Sequence, residues 1–260
     1  MNPRWEDSVR ILVTGGASGI GLATVRTLAV QGHAVIVMDR DAAALDALPG
    51  GIAAAAVTGS VADMGDCLRA ARLAEERLGG LDGVSHSAGI QRYGTAATTT
   101  DEIWNEVISV NLTGAFFVAR ATLPLIRASR GAYVFTGSVQ SLASQEGVAA
   151  YTASKHGLLG LTRSIAVDFA AEGVRANLVA PGAIGTPMLD WALSLAPDPE
   201  GVRETLRGIH PLGRIGSAEE VAQVIAFLLS PGAAFVTGEV LRIDGGMLAR
   251  IGGSPREGRV

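Results

Sequence analysis

The sequence predicts one doubly wound α/β domain, with seven mostly parallel strands covered by helices on both faces. Three observations carry this. Short β-branched runs alternate with longer helix-period segments along the whole chain, as parallel strands joined by helical crossovers require. The 260 residues are 48% hydrophobic and 18% charged, enough to bury one large core and too apolar for a disordered chain. Glycine is abundant, 34 of 260, without collagen-like repetition, so the surplus belongs to turns and to backbone that must approach a ligand.

The elements follow in order. β-Branched and apolar runs predict strands at 10–13, 34–38, 53–57, 83–86, 132–136, 175–179 and 240–243. Helix-period segments lie between them at 20–30, 64–78, 104–128, 150–171 and 218–229. The last begins at Ser217, whose S-x-x-E pattern with Glu220 is a capping box. Right-handed crossovers follow from strand twist. No repeat, linker or charged tail divides residues 1–260, so they are one domain. Prolines interrupt the segment 185–213, which reads as a lid or as a surface excursion beside the carboxyl edge of the sheet, where ligands bind in open α/β folds.

Between the first strand and the first helix, the run TGGASGIG places Gly15, Gly19 and Gly21 in a strand-turn-helix context. Glycines there allow a tight turn and close approach of a pyrophosphate to the free N–H groups of the helix N-terminus. The domain is therefore predicted to be a Rossmann-type dinucleotide binder. Asp39 ends the second strand about 20 residues on, where a carboxylate accepts from the ribose hydroxyls and repels an added phosphate, so NAD is the expected cofactor. Arg40 pulls the other way, as a guanidinium beside the ribose.

Ser138 and Tyr151 flank a loop, and Lys155 follows Tyr151 by four positions on a helix, which puts phenol and ammonium on one face. A phenol with a pKa near ~10 needs an adjacent cation to exchange protons at neutral pH. In this order the chain resembles the short-chain dehydrogenase/reductase family, classical type, over nearly its whole length. The matching runs are TGGASGIG, VNLTG, the Ser138 position, YTASK, PGAIGTP and IDGG. The resemblance implies a catalytic tetrad of Asn111, Ser138, Tyr151 and Lys155. In it Tyr151 exchanges the proton, Ser138 fixes the substrate oxygen, Lys155 lowers the phenol pKa and binds the nicotinamide ribose, and Asn111 holds a water. It also implies cofactor contacts from Ser18 and Ile20 in the first turn, from Ser60 and Val61 near the adenine, and from His86, Ser87, Ala88 and Gly89 after the fourth strand. Pro181, Gly182, Ile184 and Thr186 complete that set. Two positions depart from the family's usual residues: His86-Ser87 stands for Asn-Asn, and Ser60 for Asp.

Candidate substrate residues are Gln91, Arg92, Gln140, Gln145, Met188 and Arg203, with Tyr93 and Trp191 on the same segments. Arg203 and Arg207, four apart, suggest a guanidinium brought down on an anionic substrate. The expected reaction interconverts a secondary alcohol and a ketone of a small polar molecule such as a sugar, sugar acid or cyclic diol. A 3-oxoacyl thioester reductase, a steroid-type dehydrogenase, an epimerase or dehydratase with retained cofactor, and an inactive NAD(H)-binding scaffold or sensor are the alternatives. The apolar helix 150–171 and the resemblance together imply a homotetramer. A net charge of −4 without a basic cluster gives no footprint for nucleic acid or a membrane surface. No apolar run reaches the length of a membrane span, and the charged start MNPRWEDSVR is unlike a signal peptide. One cysteine, Cys67, and four scattered histidines predict no disulfide, no metal site and a cytoplasmic location.

Overall fold

The computed structural model describes residues 8–251. Most of the charged N-terminal decapeptide lies outside them. Along the chain run β1 (Arg10–Thr14), α1 (Gly19–Val30), β2 (Ala34–Asp39), α2 (Ala42–Asp46), β3 (Ala55–Thr58), α3 (Met64–Leu78) and β4 (Gly83–His86). Next come α4 (Asp101–Ile108), a π turn (Ser109–Thr113), α5 (Gly114–Ser129), β5 (Ala132–Thr136), α6 (Ala149–Asp168) and β6 (Arg175–Pro181). The last part holds β7 (Ile184–Gly185), α7 (Pro187–Ser194), α8 (Pro199–Ile209), β8 (Gly216–Ser217), α9 (Ala218–Leu229) and β9 (Val240–Ile243).

Seven strands form one fully parallel sheet in the order β3-β2-β1-β4-β5-β6-β9, and β7 pairs with β8 separately. Alternation along each strand divides the core into two layers. Ile11 and Val13 of β1, with Ala132 and Val134 of β5, pack under α1 and α9. Leu12, Tyr133 and Phe135 point the other way, into a layer closed by α3, α5 and α6. The strand order reverses between β1 and β4, and a cleft of about 740 Å³ opens there, at the switch point where such sheets bind ligands.

One expectation is corrected. The segment 104–128 is longer than predicted, running 101–129, and a π turn at its middle separates α4 from α5. By length and composition this helix could cross a membrane, with a hydropathy of 1.3 over its most apolar window. Its Val107, Asn111, Ala115, Val118 and Ile126 are instead buried, with α5 lying against α3 and α4 against α6. The segment 185–213 is mostly helical. Pro187 and Pro199 stand in the first turns of α7 and α8, where the missing N–H costs nothing. Asp198 caps α8 by accepting from the Gly201 N–H at 3.0 Å. The capping box at α9 forms as predicted, with Ser217 and Glu220 bonded reciprocally.

Candidate active site

The dinucleotide end of the cleft is built from backbone. Gly15 has φ of +66°, and a Cβ there would lie 2.6 Å from the Ala88 nitrogen; one on Gly21 would lie 2.0 Å from the Gly15 carbonyl oxygen. Only glycine lets β1 turn this tightly into α1. Ser18 precedes α1 in extended conformation and its hydroxyl makes no capping bond, so the first-turn N–H groups of Gly19, Ile20 and Gly21 border the cleft uncapped. A diphosphate fits this cradle.

At the end of β2, the Asp39 carboxylate is fixed before any ligand arrives. Oδ2 accepts from the Ala17 N–H at 3.0 Å and Oδ1 from the Asp41 N–H at 3.1 Å. Each oxygen keeps a further lone pair for a hydroxyl donor. Arg40 is exposed at the same rim. Ser60 also lines the cleft; its N–H donates to Asp66 at 2.8 Å and its Oγ accepts from the Ala62 N–H at 3.2 Å, leaving the hydroxyl proton available. Val61 lies beside it, and Ser87, Ala88, Gly89, Pro181, Gly182, Ile184 and Thr186 line the cleft as well.

His86 does not line it. Its ring is 1% exposed, with Nδ1 2.9 Å from the Thr14 Oγ1 and Nε2 without a hydrogen-bond partner among the described residues. Burial drives its pKa down to about 3, with Lys155 adding to the effect, so the imidazole is neutral. The ring is thus a packed strand-end group that ties the ends of β1 and β4 together, which leaves only the backbone of His86 to meet a cofactor.

At the middle of the cleft three predicted residues converge. Ser138 and Tyr151 both line it, and the Lys155 Nζ lies 5.5 Å from the centre of the tyrosine ring. Lys155 donates to the Thr136 carbonyl at 2.8 Å. Both Tyr151 and Lys155 are buried. Burial pushes the phenol up to about 12, with Ser138 acting the other way, and pushes the ammonium down to about 8; the expected lowering of the phenol by Lys155 is absent from this structure.

Asn111 sits in the π turn, where local helix strain often marks function, but its side chain is buried away from the cleft. Oδ1 accepts from the Ile90 N–H at 2.8 Å, and Nδ2 donates to the Ile90 carbonyl at 2.9 Å and to the Ser154 hydroxyl at 3.0 Å. The side chain thus positions the strand exit beside Gly89 and Lys155.

Beyond Tyr151 the cleft is lined by Gln91, Tyr93, Gln140, Gln145 and Met188. Arg92 and Arg203 are not brought in. Arg92 forms a fork with Glu106 at 2.7 and 3.0 Å, and its guanidinium stands 5.8 Å from the Trp191 ring. Trp191 of α7 stacks on Tyr93 at 6.0 Å, so these three side chains clasp α7 to the segment after β4. Arg203 lies 3.7 Å from Asp190 and 3.5 Å from Glu200. Its charge is answered by its own lid, which corrects the expectation of a guanidinium aimed at substrate. Arg207 likewise meets Glu204 and Glu200.

Several lining residues were not anticipated. Leu189, Leu193, Val202, Leu206 and Ile209 of α7 and α8 face the cleft, with Met247 and Leu248 from the segment after β9. Their helical spacing was the available signal. His210 was also missed. Its Nδ1 meets the Leu206 carbonyl at 2.5 Å while Nε2 accepts from the Ala183 N–H at 3.2 Å, and a Cβ on Gly182 would lie 2.6 Å from that Nε2. His210 therefore pins the end of α8 to the turn after β6.

Residues 15–248 match the family described as Enoyl-(Acyl carrier protein) reductase. The chain is 36% identical over 258 residues to 2-(S)-hydroxypropyl-CoM dehydrogenase 3 of Xanthobacter autotrophicus, spanning 96% of this chain and 100% of that one. It is 38% identical over 245 residues to the 3-oxoacyl-(acyl-carrier-protein) reductase of Thermotoga maritima, spanning 91% and 96%. The ligand-free aldohexose dehydrogenase of Thermoplasma acidophilum shares its fold with a TM-score of 0.90 at 30% identity, over 97% of this chain and 98% of that one. Similarity of this extent fixes the lineage: the chain belongs to the classical short-chain dehydrogenase/reductase family, oxidoreductases that act on alcohols and ketones with an NAD(P) dinucleotide.

Proposed function

We propose that the protein is an NAD-dependent oxidoreductase that interconverts a secondary alcohol and a ketone. One observation carries the reading: Ser138, Tyr151 and Lys155 converge in the same cleft whose far end holds a pre-set Asp39 and a side-chain-free turn. When bound, the dinucleotide supplies the hydride donor or acceptor. Its diphosphate fits the N-terminus of α1, its adenosine ribose the Asp39 carboxylate, and its other ribose the Lys155 side.

The chain's own groups handle the proton. In the reducing direction Ser138 and Tyr151 donate to the substrate oxygen, which polarises the carbonyl and orients it. The phenol then gives up its proton, and Lys155 stabilises the phenolate that remains. Oxidation of an alcohol runs the same transfer backwards, with the phenolate as base. The apolar faces of α7 and α8 exclude water from this exchange.

Cofactor choice follows from Asp39. A 2′-phosphate would face a fixed carboxylate, so activity with NAD is expected to exceed that with NADP by at least about tenfold, roughly 1.4 kcal/mol of discrimination. Asp39→Ala narrows the gap, read as the ratio of kcat/KM for the two dinucleotides. A wild-type preference for NADP would refute the assignment and make Arg40 the phosphate ligand.

The assembly we propose is a homotetramer. Trp104 on α4, Phe116 on α5 and Val167 on α6 are exposed on the helical layer, Val167 at 78%, and isolated subunits rarely leave such apolar surface open. Light scattering is expected to give about four times the 26.6 kDa chain mass; a monomer at micromolar concentration would contradict it. The single buried Cys67 thiol, pushed up to about 12 by its surroundings, suits the reducing cytoplasm, the compartment proposed. A 3-oxoacyl thioester as substrate is a second reading, favoured by the similarity to the Thermotoga maritima reductase.

A further inference from the structure

We infer that the substrate is an uncharged cyclic alcohol or ketone carrying a second oxygen substituent, and that Gln140 and Gln145 recognise that second oxygen. The inference rests on the oxidoreductase reading above and narrows it.

Charge comes first. The charged side chains lining the cleft are Asp39, Arg40 and Asp41 at the adenosine end and Lys155 beside Tyr151. Beyond Tyr151 the lining is uncharged, and Arg92 and Arg203 are held by carboxylates of the protein itself. An anionic headgroup would lose its hydration there without gaining a counter-charge. A sugar acid is therefore a poor fit.

Shape and polarity come next. One stretch of wall is hydrocarbon, from Met188, Leu189 and Leu193 of α7 and Val202, Leu206 and Ile209 of α8. Another is an ordered amide pair. Thr152, next to Tyr151 on α6, donates to the Gln140 Oε1 at 3.1 Å, and the Gln140 Nε2 donates to the Gln145 Oε1 at 3.2 Å. Ser144 braces Thr152 at 3.0 Å. Each amide oxygen accepts one of these bonds and keeps one lone pair, so the pair offers the cleft three N–H hydrogens, the second of Gln140 and the two of Gln145, with acceptor sites beside them that suit a hydroxyl as well as a carbonyl oxygen.

N–H donors call for an acceptor oxygen. The Gln140 backbone N–H also bonds the Ser138 Oγ at 3.1 Å, which links this pair to the serine that meets the reacting oxygen. A molecule with a hydrocarbon face for α7 and α8 and two oxygens on one edge satisfies both walls. A ring bearing a hydroxyl or carbonyl near the reacting carbon has that form. A fully hydroxylated sugar would bury hydroxyls against the apolar wall.

The test compares kcat/KM of the full chain for cyclohexanol, 1,2-cyclohexanediol and 4-hydroxycyclohexanecarboxylate with NAD, and for acetoacetyl-CoA with NADH. The diol is expected to exceed cyclohexanol by about tenfold, the scale of a hydrogen bond in a site built to make it, and the carboxylate to fall below both. Gln145→Leu alters an exposed side chain outside the core, and is expected to cut the diol-to-cyclohexanol ratio about tenfold. An unchanged ratio in that variant, or preference for the carboxylate or the thioester, would overturn the inference and leave the oxidoreductase reading standing. No turnover of any of these alcohols, ketones or thioesters with NAD(H) or NADP(H) would overturn both.

Discussion

Tyr151→Phe should lower turnover by about a thousandfold, within the range that a positioned general acid contributes, while NADH binding by fluorescence titration changes by no more than about twofold. The substitution removes one oxygen and keeps the ring that fills this part of the cleft, so the volume and the α6 backbone are preserved. What is lost is the phenol that shares the cleft with Ser138 and is accompanied by Lys155. Ser138 alone can still orient the substrate oxygen but has no comparable means of sharing a proton with a cation. Near-wild-type turnover with unchanged circular dichroism would remove Tyr151 from the mechanism. A matching loss of NADH affinity would assign it to binding instead.

The second large effect concerns Lys155 and is visible in the pH profile. Burial lowers its ammonium to about 8 and raises the Tyr151 phenol to about 12, so the pair sheds its first proton near pH 8. Ketone reduction needs the proton-loaded pair, and its kcat/KM should fall as pH rises through about 8. Alcohol oxidation needs the pair with one proton removed, so that Tyr151 can pass its proton to the neutral Lys155 amine as it takes one from the alcohol. Its kcat/KM should rise over the same interval. Lys155→Met keeps the length of the side chain and removes the ionisable group. Turnover is expected to drop by about a hundredfold or more, and the step near pH 8 should vanish, leaving only the tyrosine's rise at much higher pH. If the Met variant kept that step, some other group would own it.

Much of this was legible in the sequence. β4, β5, β9, α3 and α9 occupy the predicted spans, because each is a strongly patterned run bounded by glycine, proline or a cap. Tyr151 and Lys155 share a helix face by their spacing, but it was the resemblance carried by the surrounding motifs that singled them out. The lid's prolines interrupt any long helix, as expected, and do so by beginning the two short helices α7 and α8. The roles of Arg92 and Arg203 depended on Glu106, Asp190 and Glu200, and the partner of a flexible guanidinium is set by packing. Asn111 shows the same limit: a buried amide announces neither whether its side chain faces the cleft nor that Ile90 and Ser154 will occupy it. His86 ends a predicted strand, and the register that sets Thr14 beside it across β1 and β4 turns its ring inward, as expected of a packed strand-end residue.

The stack of Trp191 on Tyr93, with Arg92 alongside, is a soft latch between α7 and the segment after β4. An aromatic pair contributes about 1 kcal/mol and an exposed cation over a ring a similar amount, so opening is opposed by a factor of roughly ten to thirty. Lid motions on the microsecond to millisecond scale would therefore expose the interior many times during a turnover of ordinary length. Such a lid admits visitors with little regard to their shape and holds none of them for long. Discrimination among them then falls to the interior walls, where an ill-matched molecule departs before a proton moves.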